Sequence, residues 1–274
     1  MSSTTASKKP TRFSPPTYTL EYTVSLVFFL VVIGVWEWSV QFFGVSPLVF
    51  PTPSATLSSL WRTIADGTMT YHFLVTAFET LAGFFVGAIL GLLLGGIIGQ
   101  SAFIERVFYP YVIAFQTIPK VAIAPLFVIW FGFGMTSKVV ITATIVFFPV
   151  LANTIVGLRS APQEQHDLLT AFDGSRWQVF KYIKIPNALP YVFVGFDVGI
   201  VLAIIGAIVG EFVGSQAGLG YLILQRNFSM DTAGVFAILI VLSLMGIGLH
   251  GIMQFIKRRV VFWVNHDADQ VSGA

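Results

Sequence analysis

Six long runs of predominantly apolar residues dominate this sequence, and they constrain the fold more than any other feature. They lie at about 22–43, 73–99, 107–131, 137–158, 189–212 and 233–256. A helix needs about 20 such residues to cross the hydrocarbon of a bilayer. Composition removes the alternative of burial inside a soluble globule. Hydrophobic residues make up 55% of the 274-residue chain and charged residues 10%, against roughly 25% charged in soluble domains. A 30.0 kDa body with a mean hydropathy of +0.83 has too much surface for its volume to hide that apolar area from water. The expected class is therefore an all-α integral membrane protein with six transmembrane helices. The composition excludes a disordered chain, and the absence of cysteine excludes a disulfide scaffold. A net charge of +2 gives no reason to expect nucleic acid as a partner. The polar, Pro-rich stretch 1–21 and the length of the first apolar run argue against a cleavable signal. The third run contains Pro119 and Pro125, so a kinked or broken helix is expected there.

Lys and Arg set the expected orientation. With the N-terminus inside, the inner segments hold Lys8, Lys9, Arg12, Arg106, Arg159, Arg176, Lys181, Lys184, Lys257, Arg258 and Arg259. The outer segments hold Arg62, Lys138 and Arg226, and Lys120 falls within the third run. Both termini are therefore expected on the cytoplasmic side. The second run carries Gly83, Gly87, Gly91, Gly95 and Gly99, one every fourth residue. The fifth repeats the idea with Gly195, Gly199, Gly206 and Gly210. Such stripes let helices approach closely, and ordinary bundle packing is preferred here over a mobile gate.

The longest inner loop, 159–188, has helical rather than disordered character. Pro162 suits a first helical turn. Leu168, Leu169 and Phe172 follow at helical spacing, with Glu164 and Asp167 early. Asp173-Gly174 breaks the pattern, and Ser175 with Gln178 three residues later forms a capping box. Trp177, Phe180 and Ile183 make a second apolar stripe that Pro186 is expected to stop. Two short amphipathic helices are expected. Spacing alone leaves two roles open, a place in the lipid interface or docking of a soluble partner.

Asp167-Leu168-Leu169, Asp173 and Ile183-Lys184-Ile185-Pro186 resemble the EAA motif of ABC importer permeases. That motif runs Glu-Ala-Ala, three residues, Gly, nine residues, Ile, one residue, Leu-Pro. The spacing matches throughout. Asp173 replaces the motif glycine, and the neighbouring Gly174 is expected to supply the positive φ of the turn. Gln116 to Lys120, the stretch 126–132, Gly210 to Gly214 and Gly218 to Tyr221 are similar to permeases of the nitrate, sulfonate and taurine importer group. So are Ser175 to Phe180, Pro186 to Pro190, Trp36-Glu37 and Leu48 to Ser54, giving coverage from about 36 to 263. In detail the chain looks most like the branch linked to pyrimidine precursors, riboflavin and related nitrogen heterocycles.

The resemblance implies an ABC transmembrane type-1 fold. It divides the chain into a cytoplasmic tail 1–21, a first helix with outer connector 22–72, a core 73–262 and a cytoplasmic tail 263–274. It implies a multi-pass permease of the bacterial inner membrane, working as a pair of subunits and not itself an enzyme, with ATP hydrolysis expected on separate subunits. It further implies two cytoplasmic ATPase subunits that carry ATP and Mg, and an extracytoplasmic solute-binding protein. The imported solute would be a small polar organic molecule or anion, either a nitrogen heterocycle or vitamin precursor or a sulfonate- or nitrate-like ion. By that resemblance Glu164, Asp167, Leu168, Leu169, Phe172, Asp173, Gly174, Arg176 and Trp177 form the ATPase-coupling surface. The sequence contains no Gly-x-x-x-x-Gly-Lys-Ser/Thr nucleotide loop. Neither a bound cofactor nor a metal is expected on this chain.

Charges inside apolar runs need reasons, since each costs about 2.5–3.5 kcal/mol at a helix centre. Glu37 is read as internally paired or reaching a headgroup layer. Glu79, Lys120, Asp197 and Glu211 are candidates for the translocation path or its gate, with a structural role for Glu79 equally open. Asp197 could pair with Lys120. His72, His166, His250 and His266 are too dispersed for a metal site and are expected at surfaces or interfaces. The stretch 214–230 is read as an outer cap helix, a surface for the binding protein, or both, and 55–64 as an interfacial connector. The competing class is an ion-coupled secondary transporter using Lys120 or Glu79, but the halves show no repeat.

Overall fold

The structure, a computed structural model, describes residues 18–264. Lys8, Lys9, Arg12, His266 and most of both expected tails lie outside the described residues. All regular structure among the described residues is helical. The first long helix, α1 (Tyr18–Phe42), leads to α2 (Pro53–Ala65). Then come α3 (Thr68–Ile98), α4 (Ala102–Thr117), α5 (Lys120–Phe131) and α6 (Met135–Arg159). The chain continues with α7 (Gln163–Ala171), α8 (Arg176–Val179), α9 (Ile185–Gly214), α10 (Leu219–Phe228) and α11 (Thr232–Val260). Helices α1, α3, α6, α9 and α11 are each long and apolar enough to span a membrane.

The third expected span is broken, as its prolines suggest. Helices α4 and α5 meet at an angle of 89°. Pro119 lacks an N–H and crowds the residue before it, and Ile118 accordingly takes an extended conformation (φ −63°, ψ 127°).

Helix α6 is the centre of the bundle, held between α3 and α9. The glycine stripes make this possible. A Cβ added at Gly87 would stand 2.5 Å from the Ala143 carbonyl oxygen, and one at Gly91 2.9 Å from that of Phe147. On the other side a Cβ at Gly206 would meet Thr142 Cα at 2.8 Å. Both stripes therefore serve close packing, the preferred reading. Lipid supplies no hydrophobic force between helices, so association depends on such dense contact. Phe84, Val146, Val150, Phe193 and Ile200 fill the remaining space between the three helices.

Helix α1 stands at the periphery, with only 6% of its apolar window buried. Its attachments are specific. Trp36 Nε1 donates to the Pro51 carbonyl at 3.2 Å, and the rings of Trp36, Phe50 and Phe236 pack against one another at tilted and edge-on angles. Glu37 accepts from Ser54 N at 3.0 Å and Ser54 Oγ at 2.8 Å. Its charge thus caps the start of α2, where unpaired N–H groups favour an anion. The paired role expected of Glu37 is the one observed.

Two expectations about the 159–188 loop need correction. Pro162 is the N-cap of α7 rather than its first residue. Pro186 does not stop a second short helix: α8, a π turn over Phe180–Lys184 and α9 form one continuous helix, Arg176–Gly214. The wider turn explains this. Ile185 N–H bonds back to the Phe180 carbonyl, five residues earlier, which shifts the ladder where proline supplies no donor.

Candidate functional site

The two ends of the bundle carry the candidate residues. At the α7 end, Leu168 (62% exposed), Phe172 (77%) and Trp177 (66%) present apolar surface to solvent. Glu164, Asp167 and Arg176 surround them and are also exposed. The α7 frame is fixed locally by Gln163 Nε2 donating to Asp167 Oδ1 at 2.9 Å. It is fixed to the long helices by Asn187 Nδ2 of α9, which donates to Gln165 Oε1 at 3.0 Å. Ser160 Oγ, just after α6, is 3.4 Å from the Asn187 carbonyl, and Arg159 forms an ion pair with Glu105 of α4. Displacing α7 would therefore pull on α4, α6 and α9 together.

The turn between α7 and α8 departs from expectation. Asp173 itself adopts the left-handed conformation (φ 54°), and Gly174 does not. Asp is among the residues that tolerate this region best. Gly174 is needed for space instead, because a Cβ there would lie 2.6 Å from the Leu169 carbonyl oxygen and 2.7 Å from its Cγ. Leu169 is accordingly half-buried beneath the turn, whereas Leu168 and Phe172 face outward. The Ser175 capping box forms as read: Ser175 Oγ accepts from Gln178 N, and Gln178 Oε1 accepts from Ser175 N at 2.7 Å.

The charged residues within the spans fall into three places. Glu79 and Glu211 come together at the α10 end, where both are buried. Glu79 pairs with Lys138 of α6. Glu211 accepts from Thr76 Oγ1 at 2.6 Å and from the Gly220 N–H at 2.5 Å, so it caps the start of α10. Asp197 pairs with His250 (2.7 Å) and accepts from Gln254 Nε2 at 2.9 Å, both on α11. The suggested Asp197–Lys120 pair is thereby corrected; α11 packs against α9 and supplies nearer partners. Lys120 begins α5, donates to the Gln116 carbonyl, and lies 4.7 Å from the ring of Phe148. Phe148 also lines an apolar cavity of about 720 Å³ between α3, α4 and α6, with Leu90, Phe108, Tyr111, Phe115 and Phe147.

Sequence reasoning missed Lys138, His72, Thr76 and Ser215. Lys138 was placed in an outer flank, yet it is 6% exposed. Its position one residue inside the fourth apolar run was the available signal. His72, expected at a surface or an interface, is 8% exposed, its Nδ1 accepting from the Gly218 N–H at 2.9 Å. The backbone of the 215–218 loop reaches down onto α3 and buries it. Leu219 and Leu222 of α10 pack against Met69 and Ile238, so this stretch dips back onto the bundle. No group of three or more His, Cys, Asp or Glu is placed to hold a metal ion among the described residues.

Comparison with known proteins gives this geometry a family. Residues 87–262 match the family described as binding-protein-dependent transport system inner membrane component. The chain is 35% identical to a riboflavin transport system permease protein of Chloroflexus aurantiacus, with 92% of each chain covered. It is also 35% identical to a formylaminopyrimidine transport permease protein of Halalkalibacterium halodurans, over 81% of this chain and 88% of that one. A taurine transport system permease protein of Escherichia coli shares 28% identity, with 89% and 90% covered. Among solved structures, an amino acid ABC transporter crystallised with histidines superposes with a TM-score of 0.62 at 15% identity, covering 73% of this chain and 98% of that one. An inward-facing methionine ABC transporter gives 0.56 at 21% identity, covering 69% and 94%. These likenesses at low identity establish the fold, and the sequence relatives establish the family and remove the secondary-transporter alternative. The chain belongs to the binding-protein-dependent inner membrane components, the permease subunits of ABC importers.

Proposed function

We propose that this permease pairs with a second permease subunit, most simply a copy of itself, and is moved by two cytoplasmic ATPase subunits that bind ATP and Mg. A solute-binding protein on the opposite side delivers the substrate. The observation that carries this reading is the exposed Leu168, Phe172 and Trp177 surface at α7, which is tied to α9 through Gln165 and follows directly from α6, itself paired to α4. Large apolar side chains in water ask for a partner surface, and an apolar helix face suits a groove. Closure of an ATPase pair around α7 would push on the bundle through Asn187 and Arg159. Residues 159–188 are thus the coupling loop, on the cytoplasmic side of a bacterial inner membrane. The Lys and Arg bias supports that orientation, with both termini inside.

For the solute, the 35% identity to riboflavin and formylaminopyrimidine permeases supports a flat nitrogen heterocycle. The Phe115, Phe147 and Phe148 lining beside the Lys120 ammonium suits an aromatic solute with electron-rich oxygens. The test is co-purification and solute-stimulated ATP hydrolysis. Wild-type permease should retain one ATPase subunit per permease, and Phe172→Asp should abolish both retention and stimulation. Full stimulation in Phe172→Asp would defeat the coupling assignment.

A further inference from the structure

At the α10 end a charged cluster is sealed inside the bundle. Glu79 and His72 come from α3, Lys138 from α6 and Glu211 from α9, and each is at least nine-tenths buried. The hydrogen bonds fix most protons. His72 Nδ1 accepts from the Gly218 N–H, so that nitrogen carries no proton and the ring is neutral. Lys138 donates to Glu79 Oε1 and, at 2.9 Å, to Ser215 Oγ. The Ser215 hydroxyl donates onward to the Ala217 carbonyl. Glu211 accepts from Thr76 Oγ1, the Gly220 N–H and, at 3.3 Å, the Tyr221 N–H. Tyr221 is the titratable group that α10 adds, its ring 5.9 Å from that of His72. Arg226 and Asp231 are occupied with each other at 3.1 Å.

The cluster therefore holds two carboxyl groups but one cation, Lys138, whose carboxylate partner is Glu79. One oxygen remains unaccounted for: Glu79 Oε2 is buried with no hydrogen-bond donor. Glu211 is held by Thr76, one turn before Glu79 on α3, so both carboxyl groups lie on the same face of that helix. Two carboxylate oxygens are both acceptors and cannot bond to each other without a hydrogen. A second unpaired negative charge would also be costly so far from water.

We propose that Glu79 and Glu211 share one proton, making this cluster a proton-binding site that is electrically neutral when α10 is packed down. One ammonium, one carboxylate and one carboxylic acid balance. The proton bridges α3 to α9, and Glu211 in turn holds the first N–H groups of α10. Lifting α10 would separate the carboxyl groups, admit water and release the proton, so opening of this end is linked to pH.

The test uses the full-length permease in lipid nanodiscs. Infrared absorption at neutral pH should contain the carbonyl stretch of a buried carboxylic acid, and Glu79→Gln and Glu211→Gln should each abolish it. Glutamine mimics the protonated acid and preserves charge balance, so each single variant should unfold within error of the wild-type Tm. Glu79→Gln combined with Glu211→Gln strands Lys138 and should lower Tm by more than the two single shifts together. Absence of the wild-type band, or its persistence in both single variants, overturns the proposal. So does failure of either single variant to fold, or a double variant as stable as the singles.

Discussion

The α10 end and the α7 end invert each other. At the first, charged and polar side chains are buried and bonded to one another, with Glu79 Oε2 alone among the cluster's carboxyl oxygens lacking a donor. At the second, large apolar side chains stand in water with charged neighbours. Each arrangement would be unfavourable in the other's surroundings. Buried charge is tolerable only when paired and hydrogen-bonded, and exposed aromatic surface is tolerable only where something covers it. The polar end thus finds most of its partners within one chain, whereas the apolar end offers surface for a partner of the kind proposed above.

Substitutions at the two ends should separate stability from coupling. The largest loss of stability is expected from Glu79→Ala, which, unlike Gln, removes the oxygen that Lys138 donates to and leaves a cavity between α3 and α6. Breaking such a pair costs about 3–5 kcal/mol, read as reduced thermal or denaturant stability of the purified permease. If Glu79→Ala unfolds like wild type, the α10 end is not held by its charges. Next comes Gly91→Val, in the packing that joins the ends. Its new side chain would meet the Phe147 carbonyl and Val150, and overpacking costs about 1–3 kcal/mol; an unchanged denaturation midpoint would mean α3 and α6 slide apart freely. At the α7 end Asp173→Gly should stabilise by about 1 kcal/mol, since it relieves a left-handed residue, and a shift in the opposite direction would point to a role for the carboxylate. The smallest stability change, within about 0.5 kcal/mol, is expected for Phe172→Asp, while solute uptake in proteoliposomes is lost. A Phe172→Asp permease that transports normally would erase the contrast between the ends.

Much of the fold was legible because its signals are local. Apolar runs gave the spans, Pro119 gave the break, and Ser175 with Gln178 gave the capping box. What failed did so for non-local reasons. Lys138 and Glu79 are 59 residues apart, and nothing in a flanking lysine announces the carboxylate it will meet. Pro186 reads as a stop because proline removes a donor, but a π turn upstream absorbs the loss. Asp197 found His250 rather than Lys120 because α11, not α5, lies against that part of α9.

The sequence by itself determined that this chain spans a membrane, which segments are apolar enough to cross it, and where its one long polar loop lies. Those properties depend on the transfer of each segment from water, which needs no knowledge of neighbours. Only the tertiary structure decided which buried charges meet, which of Leu168 and Leu169 faces outward, and that Asp173 carries the turn. Those are contacts between segments distant in the chain, or a choice among backbone conformers set by packing.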